Sequence, residues 1–199
     1  MDKFNLFSDK QFGFMGTRST SLQLLKVLNK WTSVLDEGGV LNAVYMDCIK
    51  AFDKVPHTRL LVKMKAYGLS DKMCIWVQDF LSDRKQCVQV NGMKSQWHKV
   101  TSGIPKGSVL ARTSIIQVVN FISDLPECLK SDVFLFADDT NIFREIKDDS
   151  DASFIQSDLN ELFKWRETWL LKFHSDKCKV LPVLNQNKQY VENKYIMRK

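Results

Sequence analysis

The 199-residue chain has only three histidines and four prolines, and its five cysteines (Cys48, Cys74, Cys87, Cys128 and Cys178) include no closely spaced pair. A zinc knuckle takes its ligands from short-range Cys/His pairs, so a structural zinc site is not expected. An odd set of scattered thiols reads as reduced, mostly buried cysteine of an intracellular protein. No apolar run approaches the ~20 residues that a membrane span requires. The first ten residues, MDKFNLFSDK, lack the apolar centre of a secretory leader. Repeats, low-complexity tracts and linkers are absent as well. What remains is 44% hydrophobic and 26% charged, the balance of a globular chain long enough for one domain, or for a larger domain cut short.

The net charge of +6 is unevenly placed. Residues 1–100 carry 15 basic and 9 acidic side chains, and residues 101–199 carry 14 of each. The excess lies between Lys54 and Lys99, with 9 basic residues against 3 acidic ones. Such a stretch suits a polyanionic partner, and it equally suits a solvated lysine face.

Periodicity predicts a helix from about Thr20, where Thr20 and Gln23 fit a capping box and Leu24, Leu28, Trp31 and Leu35 form an apolar stripe. Gly38-Gly39 ends it, and a strand follows at 40–47. Helices are predicted at 57–67 and 71–82, separated by Gly68. Asn91-Gly92 between two alternating runs predicts a hairpin. A Gly/Pro loop, SGIPKGS, covers 102–108, and an apolar helix is predicted at 109–122. The run VFLFADDTNIF (133–143) reads as a second hairpin with Asp138-Asp139 at its tip. An amphipathic helix is predicted over 150–171, its inner face marked by Ile155, Leu159, Leu162 and Trp169. A last strand covers 177–184, and the polar tail from 185 should fray. Mixed strands and helices with hairpins indicate an α+β fold, a sheet backed by helices on one face.

Two features carry chemistry. Asp47 ends an apolar strand, and Asp138-Asp139 tips an apolar hairpin. Carboxylates gathered beside a buried sheet resist ionising unless a cation neutralises them. Mg²⁺ takes hard oxygen ligands, typically one or two carboxylates with substrate phosphates. Two such ions ~3.5–4 Å apart clamp the attacking and leaving oxygens of a phosphoryl displacement. Set against this, an Asp-Asp pair in a turn is commonly a solvated turn, and spacing alone does not bring positions 47 and 138 together.

The motifs settle more than the spacing does. YMDCIKAFDKV (45–55) resembles the A motif of reverse transcriptases encoded by non-LTR, LINE-type retrotransposons. SGIPKGSVL (102–110) resembles their B motif, FADD (136–139) their C motif, and WLLKFHSDKCKVL (169–181) their D region. QFGFMGTRST (11–20) is similar to a fingers segment just before the palm, and FISDLPE (121–127) also has a counterpart. The order holds from about residue 9 to 184. The resemblance implies a reverse-transcriptase palm, an antiparallel sheet backed by helices, with partial fingers and no thumb. Residues 1–39 would be a fingers segment, 40–184 the palm with inserted elements, and 185–199 a polar tail.

The resemblance also implies roles. Asp47, Asp138 and Asp139 would be the catalytic carboxylates, holding two Mg²⁺ (or Mn²⁺) ions with help from the Cys48 carbonyl. Phe52 would be the steric gate against a 2′-hydroxyl, a role compatible with core packing. Asp53 would be structural. Gly103 and Gly107 would let the backbone approach nucleotide and template, with Lys106 beside them. Lys177 or Lys179 would hold or protonate the leaving pyrophosphate, or be a solvated strand-end lysine. Arg18 would touch template or triphosphate, or simply be a surface arginine. Lys63, Lys65, Arg84 and Lys85 would face duplex phosphates.

The partners implied are an RNA template, a DNA primer and deoxynucleoside triphosphates, with no membrane. The place implied is intracellular, nuclear or cytoplasmic. The sequence departs from the family at Lys106, where glutamine is usual, at Ala111-Arg112, where Gly-Pro is usual, at Gln117, and at Met15-Gly16, where basic residues are common. Missing endonuclease and thumb regions suggest a fragment or a decayed copy. The rival readings are a non-catalytic nucleic-acid-binding remnant with the same fold, and an unrelated α+β protein.

Overall fold

The computed structural model describes residues 8–105, 121–174, 176–185, 188 and 194–196. The first helix, α1 (Thr20–Asp36), is capped by Ser19, whose hydroxyl accepts from the Leu22 N–H at 3.1 Å. The cap is therefore one residue before the Thr20/Gln23 box, and it satisfies one of the free N–H groups of the first turn. Gly38, at φ +73, ends the helix in the left-handed conformation that glycine adopts without strain. The buried face of α1 is Val27, Trp31 and Val34. Leu24 (58% exposed) and Leu28 (45%) point outward, so the stripe expected on them is rotated by about one residue.

Four strands, β1 (Leu41–Met46), β6 (Asp132–Phe136), β7 (Asp139–Glu145) and β8 (Lys179–Val183), form one antiparallel sheet. Their order across it is β6-β7-β1-β8. The central strand β1 pairs with β7 from Leu41↔Glu145 to Met46↔Thr140, and with β8 from Leu41↔Val183 to Tyr45↔Lys179. Alternation sends Val44 and Met46 to one face, where Val133, Leu135 and Ile142 join them. That face is covered by α2 (Ala51–Lys54), α3 (His57–Ala66), α4 (Asp71–Leu81) and α5 (Asp149–Trp169). They contribute Leu60, Met64, Val77, Leu81, Ile155, Leu159 and Leu162 to the core. Each such side chain stabilises by roughly 1.5–3 kcal/mol when fully buried.

The pattern of elements predicts helices on one face only, and the structure corrects this. Leu41, Ala43 and Phe143 face the other way and are covered by α1. Both faces of β1 are buried except at Tyr45, which is why its sequence shows no regular apolar–polar alternation.

Between α4 and residue 100 the chain forms a hairpin of two short ladders: β2 (Lys85–Gln86) with β5 (His98–Lys99), and β3 (Gln89–Val90) with β4 (Met93–Lys94). Asn91 (φ +48) and Gly92 (φ +83) make its two-residue turn, as Asn-Gly predicts. The 109–122 helix lies outside the described residues except at its last two positions, which are helical. Two of the described tail residues, Tyr195 and Ile196, are engaged by the fold. Ile196 exchanges backbone hydrogen bonds with the Gln156 amide, and the Asn42 side chain, fully buried in β1, donates to the Tyr195 hydroxyl at 2.6 Å.

Candidate active site

The register fixes the carboxylates. Met46 pairs with Thr140, so Asp47 and Asp139 leave the sheet at the same end of neighbouring strands. Phe136 pairs with Asp139 across the two-residue turn Ala137-Asp138. The third contributor is the segment after α5. Cys48 and Phe173 form an antiparallel bridge, flanked by bonds from the Ile49 N–H to the Lys172 carbonyl (2.7 Å) and from the His174 N–H to the Asp47 carbonyl (2.8 Å). Neither bond uses the Cys48 carbonyl. The bridge carries Lys177 to the sheet end, where its Nζ donates to Asp47 Oδ2 at 2.7 Å.

The charges act on one another across this end of the sheet. The Asp139 carboxyl is pushed above its ordinary range, first by burial and then by the Asp47 charge, with Lys177 opposing. Lys177 is held above its usual range by the hydrogen bond to Asp47 and by that charge. Burial drives the Cys48 thiol far upward, and the fields of Asp138, Asp47 and Asp139 add to it. The register thus sets Asp47 beside Asp139 at this end of the sheet, with Asp138 next to Asp139 in the turn. A cavity of about 630 Å³ opens there, lined by Asp47, Asp139 and Lys177 on one side and by Leu24 and Val27 of α1 on the other. Among the described residues no three His, Cys, Asp or Glu side chains are gathered into a ready-made cation cage.

Other predicted residues divide. Phe52 is half-buried at the edge of the core, its ring edge-on to Phe14 at 6.3 Å. Gly103 is at φ +79, and a Cβ there would lie 2.5 Å from the Asp53 carbonyl oxygen. The close approach that requires glycine is thus to this chain's own α2. The Ser102 hydroxyl also donates to the Asp53 carbonyl, so Asp53 is structural through its backbone. Lys106 and Gly107 lie outside the described residues.

Lys63 requires a correction. It is 3% exposed, paired with Asp124 at 2.6 Å, and packed over the rings of Phe121, Trp165 and Trp169. A lysine within a helix of mixed polarity reads as solvated, but here it ties α3 to α5 and cannot face phosphates. Lys65 and Lys85 are exposed, and Arg84 is half-buried with a long bond of 3.4 Å to the Gly103 carbonyl. Arg18 turns inward, donating to the carbonyls of Ser8, Asp9 and Gln11.

Sequence reasoning misses two buried polar residues. Asp158 on α5 accepts from the backbone N–H groups of Lys130 and Ser131, both at 2.9 Å, and so holds the entry to β6. Gln11 is fully buried and bonds both backbone groups of Ala137, next to Asp138. No pattern in the sequence marks a polar side chain whose partners are backbone atoms 126 positions away.

A four-stranded antiparallel sheet with carboxylates at one end of its central strands and helices behind is a polymerase-type palm. Residues 1–192 match the family described as reverse transcriptase (RNA-dependent DNA polymerase), and the chain belongs to it. Among its relatives are the RNA-directed DNA polymerases from mobile element jockey. The one from Drosophila melanogaster is 32% identical over 177 residues, covering 84% of this chain and 19% of the relative. The one from Drosophila funebris is 28% identical over 179 residues, with the same shares covered. The chain thus spans about a fifth of the length of these relatives. Among solved structures, a telomerase from Candida albicans bound to a fragment of telomeric RNA aligns with a TM-score of 0.64 at 14% identity, over 96% of this chain and 32% of that one. Apo telomerase from Candida tropicalis aligns with a TM-score of 0.60 at 12% identity, over 90% and 37%. At such identities the likeness is one of fold.

Proposed function

We propose that this chain is the palm and part of the fingers of an RNA-directed DNA polymerase, extending a primer 3′-hydroxyl with deoxynucleotides on an RNA template. The observation that carries the reading is the register that sets Asp47 beside Asp139, with Asp138 in the adjoining turn, at one end of the sheet where a cavity opens. The donor set is hard oxygen, and Asp139 is raised first by burial and then by the Asp47 charge, both of which a cation partner would offset. Asp47 and Asp138 would hold the divalent ions, Mg²⁺ or Mn²⁺, with Asp139 adjacent and the Cys48 carbonyl, unused by its bridge, available to them. A complete protein cage is not required, because substrate phosphates supply the remaining ligands. Bound there, the ions would stabilise charge on the attacking and leaving oxygens.

The protein's own share is positioning. Phe52 would pack beside the sugar of the incoming nucleotide and exclude a 2′-hydroxyl. Lys177 would turn from Asp47 to the departing pyrophosphate. Lys65, Arg84 and Lys85 would sit along template–primer phosphates, and Lys106 and Gly107 near the nascent pair. Residues 1–39 serve as the fingers piece, 40–184 as the palm with inserted elements, and 185–199 as a tail. The place of action is intracellular, nuclear or cytoplasmic, where such templates and triphosphates occur. Among the described residues no helix is long and apolar enough to cross a membrane.

Primer extension on poly(rA)/oligo(dT) with Mg²⁺ or Mn²⁺ tests this. Extension that disappears in Asp138→Ala is the expected result. No extension, together with salt-sensitive duplex binding, would replace the enzyme with a nucleic-acid-binding remnant.

A further inference from the structure

The turn that carries Asp138 is in a conformation its sequence does not favour. Ala137 is at φ +54, while Asp138 is not among the positive-φ residues. A two-residue hairpin turn with positive φ only at its first central position normally places glycine there. A residue with a Cβ gives up roughly 1–2 kcal/mol in that region. Something outside the hairpin must hold the turn, because only two residues separate Phe136 from Asp139.

Gln11 does this with three hydrogen bonds. Its Nε2 donates to the Ala137 carbonyl at 3.0 Å, and its Oε1 accepts from the Ala137 N–H at 2.9 Å and from the Gly13 N–H at 2.8 Å. Both backbone groups of the strained residue are therefore taken by one side chain that is itself fully buried. The surrounding backbone fixes Gln11 in turn. The Leu135 N–H donates to the Lys10 carbonyl and the Phe12 N–H to the Leu135 carbonyl, so residues 10–12 lie parallel to β6 as an added strand. Gly13 closes the mould, for a Cβ there would stand 2.2 Å from the Ala137 nitrogen.

We propose that Gln11 is a positioning residue that sets the Ala137-Asp138 turn and hence the aim of the acidic pair; its bearing on catalysis rests on the polymerase reading. Gln11 touches no reacting atom in this scheme. It replaces, with buried side-chain bonds, the support that a glycine in the turn would make unnecessary.

Amide hydrogen exchange on the whole 199-residue chain tests the clamp without reference to activity. In the unaltered protein the Ala137 N–H should be slow although it sits at a hairpin tip; fast exchange there overturns the proposal, and no variant has to fold for that outcome. In Gln11→Met the Ala137 amide should speed up by about tenfold beyond any change at Val44 and Ile142, the size expected for one buried hydrogen bond. Equal changes at all three sites would mean that Gln11 acts only on global stability, and would also overturn it. Adding Ala137→Gly to Gln11→Met should recover part of the lost melting temperature, because the backbone no longer resists the turn; a space-filling role predicts no recovery. If the unaltered chain extends primers, Gln11→Met should lower kcat more than it changes KM for the nucleotide. If it extends none, the polymerase reading fails and the exchange pattern still decides the clamp.

Discussion

Lys177 Nζ lies 2.7 Å from Asp47 Oδ2, and the ammonium also feels the charges of Asp139 and Asp138. A cation of the protein's own thus sits where the carboxylates repel one another. A divalent ion would compete with it for the same oxygens. Lys177→Ala should lower the melting temperature in the absence of divalent ions by a few degrees at most, because the lysine side chain is largely exposed. Saturating Mg²⁺ should then raise the melting temperature of the variant more than that of the parent. Equal Mg²⁺ responses would show that Lys177 and the ion do not share Asp47.

Asp139 gives a pH signature. Its folded value lies above its ordinary carboxylate value, through burial and the Asp47 charge. The folded state therefore holds this proton to higher pH than the unfolded chain does. The group is neutral in both states at low pH, and stability falls as pH rises through the window just above the ordinary value. Asp139→Asn should accordingly melt higher than the parent at neutral pH, with the difference shrinking as pH drops below that window. Thermal melts across acid to neutral pH check this, and a variant that is less stable at neutral pH would contradict it.

Lys63 titrates with the opposite sign. Burial lowers it to about 8 even though Asp124 pulls it upward. Between about 8 and the unperturbed 10.5 the unfolded chain binds a proton that the folded chain has released, so this residue's contribution to stability rises with pH across that interval. Tyr67, Glu127 and Cys128 face the same pocket as Asp124. The measurement is therefore the difference between parent and Lys63→Met in urea unfolding at several pH values. That difference should move in the parent's favour with rising pH.

Lys85 and Lys99 stand directly opposite each other in the short β2–β5 ladder. Like charges at such a pair are destabilising, and an anion between them relieves the repulsion. Lys99 also lines a cleft of about 370 Å³ with Lys50, Arg84 and Asp53. Changing both lysines to glutamine should leave the melting temperature unchanged or raise it slightly. On duplex DNA the same change should reduce the salt slope of binding by about 2, since each phosphate that a lysine neutralises adds about 0.9. An unchanged slope would remove this hairpin from the nucleic-acid path.

Legibility in the sequence follows the physics of each element. The strand at 40–47 and the hairpin at Asn91-Gly92 are plain because their signals are local. The partnership of Asp47 with Asp138-Asp139 is visible only through the order of motifs, since pairing register is a long-range property. The phase of α1 is hidden because leucine occupies both of its faces, and only packing against Phe143 and Ala43 selects Val27, Trp31 and Val34. Lys63 looks like one lysine among many, since burial of an ammonium depends on Asp124 and three aromatic rings far along the chain. Gln11 and Asp158 are silent because their partners are backbone atoms, which carry no residue code.

The bond from Asn42 to Tyr195 has a practical corollary. Asn42 lies within the central strand, and the hydroxyl it donates to arrives from beyond β8. Trimming the polypeptide after residue 185 to obtain a tidier palm would delete that hydroxyl together with the Ile196 backbone that engages Gln156. Expression work that treats the last residues as dispensable should therefore yield a less soluble, more readily proteolysed product than the uncut chain.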